Sequence, residues 1–236
     1  MAAKSVVLVP GLSYGPSLFE FQTQHLTDLA PCRVVQVTDH RIDTFVDATL
    51  SAVDGQFALI AHSGATLGAI ALAARAPDRL SHLILQGAMA KPLPPIADFL
   101  RGVISDIQGG KLDESRTAIR TPALGTGHPN QAEIERQVIS SQHQVEAEDL
   151  VAQCQFIVDN MDQMSNLPKI STPTLFLHAR NDGYFDLDLT SEIAGAVPGS
   201  QLVVVEDTGH LMALEQPAAL TALVRLWLAA DGVGTR

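Results

Sequence analysis

Phe57-Ala58-Leu59-Ile60-Ala61-His62-Ser63-Gly64-Ala65-Thr66-Leu67-Gly68 opens as an unbroken apolar run. It then turns into good helix formers that continue to Arg75 and stop at Pro77. A short apolar run bounded by a turn reads as a strand buried on both faces, and the Ala/Leu-rich continuation reads as a helix. A serine is therefore held at a strand-to-helix turn, with small residues at minus two (Ala61) and plus two (Ala65). Such a turn exposes a hydroxyl, because only small neighbours let the two backbones pack that closely. The helix start beyond it offers unpaired N–H groups to an anion. Ser63 is thus a candidate nucleophile; the competing reading is an ordinary capping serine.

Outward from this stretch the chain alternates. Val6-Val7-Leu8-Val9 reads as a buried strand ending in the turn-rich Pro10-Gly11-Leu12-Ser13-Tyr14-Gly15, followed by a helix-like segment carrying Phe19, Phe21, Leu26 and Leu29. Val34-Val35-Gln36-Val37 is a second strand, and Ile42, Phe45, Val46 and Leu50 recur at helical spacing. Leu83-Ile84-Leu85 is the fourth strand. Beyond a long interruption, Thr174-Leu175-Phe176-Leu177-His178 is the fifth, residues 187–197 a helix and Gln201-Leu202-Val203-Val204-Val205 the sixth. A last helix starts near Pro217 and buries Leu220, Leu223, Val224 and Trp227. Repeated strand–helix units predict an α/β fold: a doubly wound, all-parallel six-stranded sheet with ligands beyond the carboxyl ends of its strands.

The interruption has no strong strand signal. Ile96, Phe99, Leu100, Val103, Ile104 and Ile107 form one helical stripe stopped by Gly109-Gly110. Leu150, Val151, Cys154, Ile157, Val158 and Met161 form another. Weaker helices and a Pro/Gly-containing loop at 121–129 lie between them. Residues 91–167 are read as a helical cap inserted into a core made of 1–90 and 168–236.

With 236 residues, 46% of them apolar, the chain is long enough for one domain with a true core. The formal net charge of −11 argues against nucleic acid as a partner. No run approaches membrane-spanning length, and the apolar run after Met1-Ala2-Ala3-Lys4-Ser5 stops at Pro10, too short for a secretory leader. Cys32 and Cys154 are the only cysteines, far apart and without metal-like spacing, which fits a reducing compartment and a cytoplasmic location.

Three residues follow strand ends in the order Ser63, Asp182, His210, as in hydrolases of the α/β class. A serine hydroxyl needs a base to take its proton, and a neutral histidine suits that task. A carboxylate fixes the histidine tautomer and stabilises the imidazolium. Asp186, Asp188 and Asp207 are rival acids, although Asp182 is nearest its strand end. Gln86-Gly87, after the fourth strand, offers no carboxylate. His40 and His178 are second choices for the base, and His62 is expected to point away from the elbow. Neither HExxH nor HxH spacing occurs, so no metal and no cofactor is expected. For the oxyanion, Gly64 supplies one backbone donor and Leu12, in the loop after the first strand, a second.

On these residues the chain resembles the α/β-hydrolase superfamily, in its compact capped branch of small-ester esterases, enol-lactonases and carbon–carbon bond hydrolases. The resemblance spans nearly the whole chain: Val-Pro-Gly-Leu at the start, Ala-His-Ser-Gly-Ala at the elbow, Ala-Arg-Asn-Asp before the acid, and Thr-Gly-His-Leu-Met-Ala-Leu-Glu-Gln-Pro around the base. The last is the most specific, because the family commonly has Gly-His followed by Glu-x-Pro. Pro10 stands where the family usually has His, Ala61 and Ala65 where it has Gly, and no proline follows the acid turn. The family's N-terminal hairpin is not expected before Val6, since residues 1–5 lead directly into the strand at Val6-Val7-Leu8-Val9. The resemblance implies the strand order second, first, third, fourth, fifth, sixth.

The two amphipathic stripes need an apolar partner, and the nearest is the active-site end of the sheet. The expected result is an apolar pocket over Ser63 with walls from Leu12, Tyr14, Met89, Phe99, Leu124, Phe156 and Met161. The cap's basic residues, Lys91, Arg101, Lys111, Arg116, Arg120 and Arg136, are dispersed among acids, which disfavours a polyanionic acyl-coenzyme A. The leading expectation is a serine hydrolase that takes a small carboxylic ester, thioester or lactone through an acyl-enzyme. The alternatives are carbon–carbon bond hydrolysis of a keto acid, cofactor-free dioxygenation, and a ligand sensor that keeps the triad. Serine at the elbow, rather than aspartate, argues against haloalkane dehalogenation.

Overall fold

A computed structural model of the chain describes residues 5–229; the opening Met1-Ala2-Ala3-Lys4, read above as no leader, lies outside the described residues. Strands β1 (Val6–Val9), β2 (Cys32–Val34), β3 (Phe57–His62), β4 (Leu80–Gln86), β5 (Thr174–Ala179) and β6 (Gln201–Val205) form one sheet. Its order is β2-β1-β3-β4-β5-β6 and every pairing is parallel. Both the fold class and the strand order match the expectation from sequence.

Parallel strands need crossovers, and helices supply them on both faces. Helices α1 (Glu20–His25), α2 (Ile42–Ser51) and α3 (Ala65–Arg75) lie within the first half of the chain. The alternation along β3 shows how the sheet is covered. Phe57, Leu59 and Ala61 join one apolar cluster with α2 and α3, whereas Ala58 and Ile60 join a second cluster on the opposite face. Burial on both faces is why β3 lacks a polar alternation.

Helices α4 (Pro94–Gln108), α5 (Leu112–Ala123), α6 (Gln131–Gln142) and α7 (Ala147–Asn160) fill the interval between β4 and β5. Beyond β5 come α8 (Leu187–Gly195), then β6, α9 (Met212–Glu215) and α10 (Pro217–Ala229). Among the described residues no helix is long and apolar enough to cross a membrane.

Boundaries moved in three places. The second strand is Cys32–Val34 rather than residues 34–37. Cys32–Val34 pair with Val6–Leu8, and only one further bond follows, Val35 N–H to the Leu8 carbonyl at 2.9 Å. Pro10 has no N–H with which to extend the ladder. The fourth strand is longer than Leu83-Ile84-Leu85, because the polar Ser81 and His82 belong to it. Helix α5 runs through Pro122 to Ala123, so the loop expected at 121–129 begins only at Leu124.

Candidate active site

Ser63 has φ +53°. A non-glycine residue in this region costs about 1–3 kcal/mol, and such strain persists only where the surroundings fix it. Here they do. The Ser63 N–H donates to the Gln86 carbonyl at 2.8 Å, and the Ser63 carbonyl accepts the Thr66 N–H at 2.8 Å and the Thr66 hydroxyl at 2.6 Å. The loop after β1 presses on this turn. A Cβ on Gly11 would stand 2.8 Å from His62 Nδ1, from the His62 carbonyl oxygen and from Ser63 Cβ, so this position accepts only glycine.

Asp182 follows β5, and His210 follows β6. His210 Nδ1 lies 2.7 Å from Asp182 Oδ2, with both side chains almost wholly buried. Asp182 Oδ1 accepts the N–H groups of Tyr184 (2.8 Å) and Phe185 (3.1 Å). Burial by itself would push this carboxyl up. The His210 charge and hydrogen bond, with the two backbone donors, outweigh burial and hold Asp182 below its ordinary value. With Nδ1–H given to the carboxylate, Nε2 is left as the basic nitrogen, and it is buried without a hydrogen-bond partner. His210 and Ser63 line one cavity. Among the described residues no hydrogen bond joins Ser63 Oγ to His210. That link is open here, and catalytic contacts of this kind commonly tighten when substrate binds.

The rivals are engaged elsewhere. Asp186 caps α8, accepting the Leu189 N–H at 2.8 Å. Asp207 sits in a left-handed turn (φ +54°) and is exposed; Asp188 is exposed as well. His178 Nδ1 pairs with the Thr190 hydroxyl at 2.9 Å, and the His40 side chain is exposed beside Asp39. His62 donates from Nε2 to the His210 carbonyl at 3.0 Å, so its ring turns to the His210 loop and away from the serine's cavity. Burial first, then the neighbouring His210, push its pKa down to about 3, which keeps it neutral. Among the described residues no group of three or more His, Cys, Asp or Glu could hold a metal ion.

The N–H groups of Leu12 and Gly64 donate to no protein acceptor among the described residues. Both residues line a small void of about 20 Å³, and Leu12 also lines the cavity of Ser63. The Leu12 loop is held from above. The Ser13 N–H donates to Gln153 Oε1 (2.9 Å) and the Gly15 N–H to the Ser141 carbonyl (3.1 Å). The Ser17 N–H donates to Gln144 Oε1 (3.0 Å), and Gln142 Nε2 to the Ser13 hydroxyl (3.1 Å).

The cavity over Ser63 holds only about 30 Å³. Of the expected walls, Leu12, Tyr14, Met89 and Phe99 line it. Phe156 lines the smaller void beside Leu12 and stacks on Phe45, ring centroids 5.7 Å apart. Leu124 and Met161 line neither. Leu124 packs into the cluster on the opposite face of the sheet, and Met161 is buried with its sulfur accepting the Leu93 N–H at 3.4 Å. Their places are taken by Ile96, Leu100, Ile119, Tyr184 and Phe185, among others.

Two residues quoted in the sequence analysis have roles that it did not assign. Gly87 has φ +54°, and a Cβ there would lie 2.6 Å from His210 Cε1 and 3.0 Å from Nδ1. The histidine ring therefore rests on this glycine, and the signal was present in Gln86-Gly87, read only as a missing carboxylate. Glu215 is 3% exposed and accepts N–H groups from Gly209 (2.8 Å), Gly125 (3.1 Å) and Leu211 (3.3 Å). It clamps both neighbours of His210 to the loop between α5 and α6, and the His210 N–H donates to the Ala123 carbonyl at 2.9 Å. Burial pushes the Glu215 carboxyl up despite these three donors.

Residues 6–223 match the alpha/beta hydrolase family, and the chain belongs to it. Among solved structures it is similar to a thermophilic esterase from Thermogutta terrifontis, with TM-score 0.85 and 22% identity over 96% of this chain and 90% of that one. It is also similar to the enol-lactonase from Burkholderia xenovorans LB400, with TM-score 0.81 and 18% identity over 98% and 93%. An esterase from Exiguobacterium antarcticum aligns with TM-score 0.82 and 17% identity over 98% and 94%. At these identities the likeness is one of fold. No curated protein matches the chain.

Proposed function

We propose that this protein is a serine hydrolase of small carboxylic esters or lactones, with Ser63, His210 and Asp182 as its catalytic triad. The observation that carries the reading is the buried Asp182–His210 pair, whose unpartnered Nε2 lies on a ring that lines one cavity with a serine held at φ +53°. In this reading Nε2 takes the Ser63 proton as Oγ attacks the ester carbonyl. The N–H groups of Leu12 and Gly64 receive the oxyanion. His210 returns the proton to the leaving alcohol, and water, activated by the same nitrogen, then hydrolyses the acyl-enzyme. The insertion α4–α7 acts as the cap that shuts this chemistry off from solvent. The esterase and enol-lactonase among the structural neighbours support ester or lactone bonds as the target.

The cavity's apolar walls and the dispersed basic residues of α4–α6 support a small, largely uncharged substrate over an acyl-coenzyme A. Short-chain 4-nitrophenyl esters should be hydrolysed with a higher kcat/KM than acyl-coenzyme A thioesters of equal acyl length. Ser63→Ala should lower kcat by about 10³-fold or more. A clear preference for the coenzyme A series would refute the substrate class, and full activity in Ser63→Ala would refute the mechanism.

A further inference from the structure

The cavity that Ser63 and His210 line, about 30 Å³, has room for a water or two. Sites for small organic ligands run to roughly 300–1,000 Å³. An ester therefore needs more room at Ser63 than the cavity gives. On the surface beside the cavity lies a cleft of about 420 Å³, and the two share Ile96, Tyr184 and Phe185 as a partition.

The three partition residues are not held alike. Tyr184 and Phe185 are pinned, because Asp182 Oδ1 accepts both of their N–H groups and the Tyr184 hydroxyl donates to the Ile119 carbonyl. Ile96 is half-buried on α4. The hydrogen bonds found for Pro94–Gln108 run within the helix or to the turns that flank it, so apolar contact alone seats α4 on its neighbours. Of the three, Ile96 is the one that, among the described residues, no such hydrogen bond ties to the acid turn or to α5.

Chemistry says which end of the ester goes that way. His210 hands its proton to the leaving alcohol, so the alcohol departs beside the histidine ring. The rings of Tyr184 and Phe185 stand edge-on to it, with centroids 5.1 and 5.5 Å away. A group leaving past His210 thus runs along the partition toward the cleft. The cleft is lined by the apolar Leu93 and Leu189 and by Asp186, Asp188, Glu192 and Lys91, the last paired with Glu192.

We propose that this cleft seats the alcohol portion of the ester, a largely apolar group that is neutral or cationic, and that Ile96 sets how wide it can be. The inference rests on the hydrolase reading above. Acetate esters of methanol, benzyl alcohol and 1-naphthylmethanol test width; acetylcholine against 3-sulfopropyl acetate tests charge. The kcat/KM ratio of naphthylmethyl to methyl acetate should rise about fivefold or more in Ile96→Ala and fall in Ile96→Phe. The acetylcholine to sulfopropyl ratio should drop about tenfold in Asp188→Lys. Ratios that stay at the wild-type value in all three variants overturn the proposal. A readout free of turnover keeps the two claims apart: benzyl alcohol titrated into methyl-labelled Ser63→Ala protein should shift the Ile96, Leu93 and Leu189 methyl resonances. Silence at those methyls also overturns the proposal. Shifts without any ester hydrolysis would leave the cleft standing and remove the hydrolase reading.

Discussion

Helix α4 and the α6–α7 pair both lay apolar stripes over the carboxyl end of the sheet, but they are fastened by different forces. The α6–α7 side is stitched to the loop after β1 through Ser13, Gly15 and Ser17, each giving its N–H to an acceptor from residues 141–153. Helix α4 rests on Ala97, Leu100, Val103 and Ile107, and among the described residues it makes no hydrogen bond to another helix or strand. Hydrogen bonds are directional and fix positions to tenths of an ångström, whereas apolar contact is non-directional and tolerates sliding. In the proposed mechanism the directional bonds hold the loop that carries the Leu12 donor, and apolar contact holds the wall proposed to set the width of the alcohol site.

Breaking the fixed side at its deepest clamp should have the largest effect. Glu215→Leu leaves the N–H groups of Gly125, Gly209 and Leu211 without their acceptor. At about 1–3 kcal/mol for each unsatisfied group, urea unfolding should show a loss of about 3 kcal/mol or more, and kcat/KM should fall about a hundredfold as His210 shifts. A variant as stable and as active as wild type would show that the clamp positions nothing.

A smaller break on the same side is Gln153→Met, which keeps the shape but removes the acceptor of the Ser13 N–H. We expect a loss of about 1–3 kcal/mol and a roughly tenfold fall in kcat with little change in KM, because in the proposed mechanism the Leu12 donor serves the transition state. A rise in KM at constant kcat would instead assign this loop to ground-state binding.

Native-state hydrogen exchange compares the two sides directly. Amides of α4 should exchange about tenfold faster than those of α7, as expected for an element held by packing alone. Equal protection would remove the mobile wall. The smallest effect is expected from Lys91→Met at the edge of α4. Its partner Glu192 is exposed, so stability should change by less than about 0.5 kcal/mol and lose little salt dependence.

How far the sequence disclosed all this follows the same division. The strands were legible because buried parallel strands are apolar runs, their order came from the family resemblance, and Ser63, Asp182 and His210 stood out as candidates because they follow strand ends. The distances among them were not legible. Nor were Gly87 and Glu215, whose roles arise from contacts between segments far apart in sequence. The walls taken from α4 were foreseen in part: Phe99 was named and Ile96 was not, because a stripe tells which face is buried but not against what. Met161 was misplaced for that reason, its sulfur turned to the Leu93 N–H, and Leu124, from the loop after α5, packs in the other apolar cluster.

The central claim is that Ser63 is a nucleophile activated by His210. The most direct measurement is intact-mass spectrometry, with peptide mapping, of protein exposed to a 4-nitrophenyl alkylphosphonate. The account predicts a single phosphonyl adduct on Ser63, formed in step with loss of esterase activity and absent from Ser63→Ala and His210→Ala. An adduct on another residue, or equal labelling of Ser63→Ala, would contradict it.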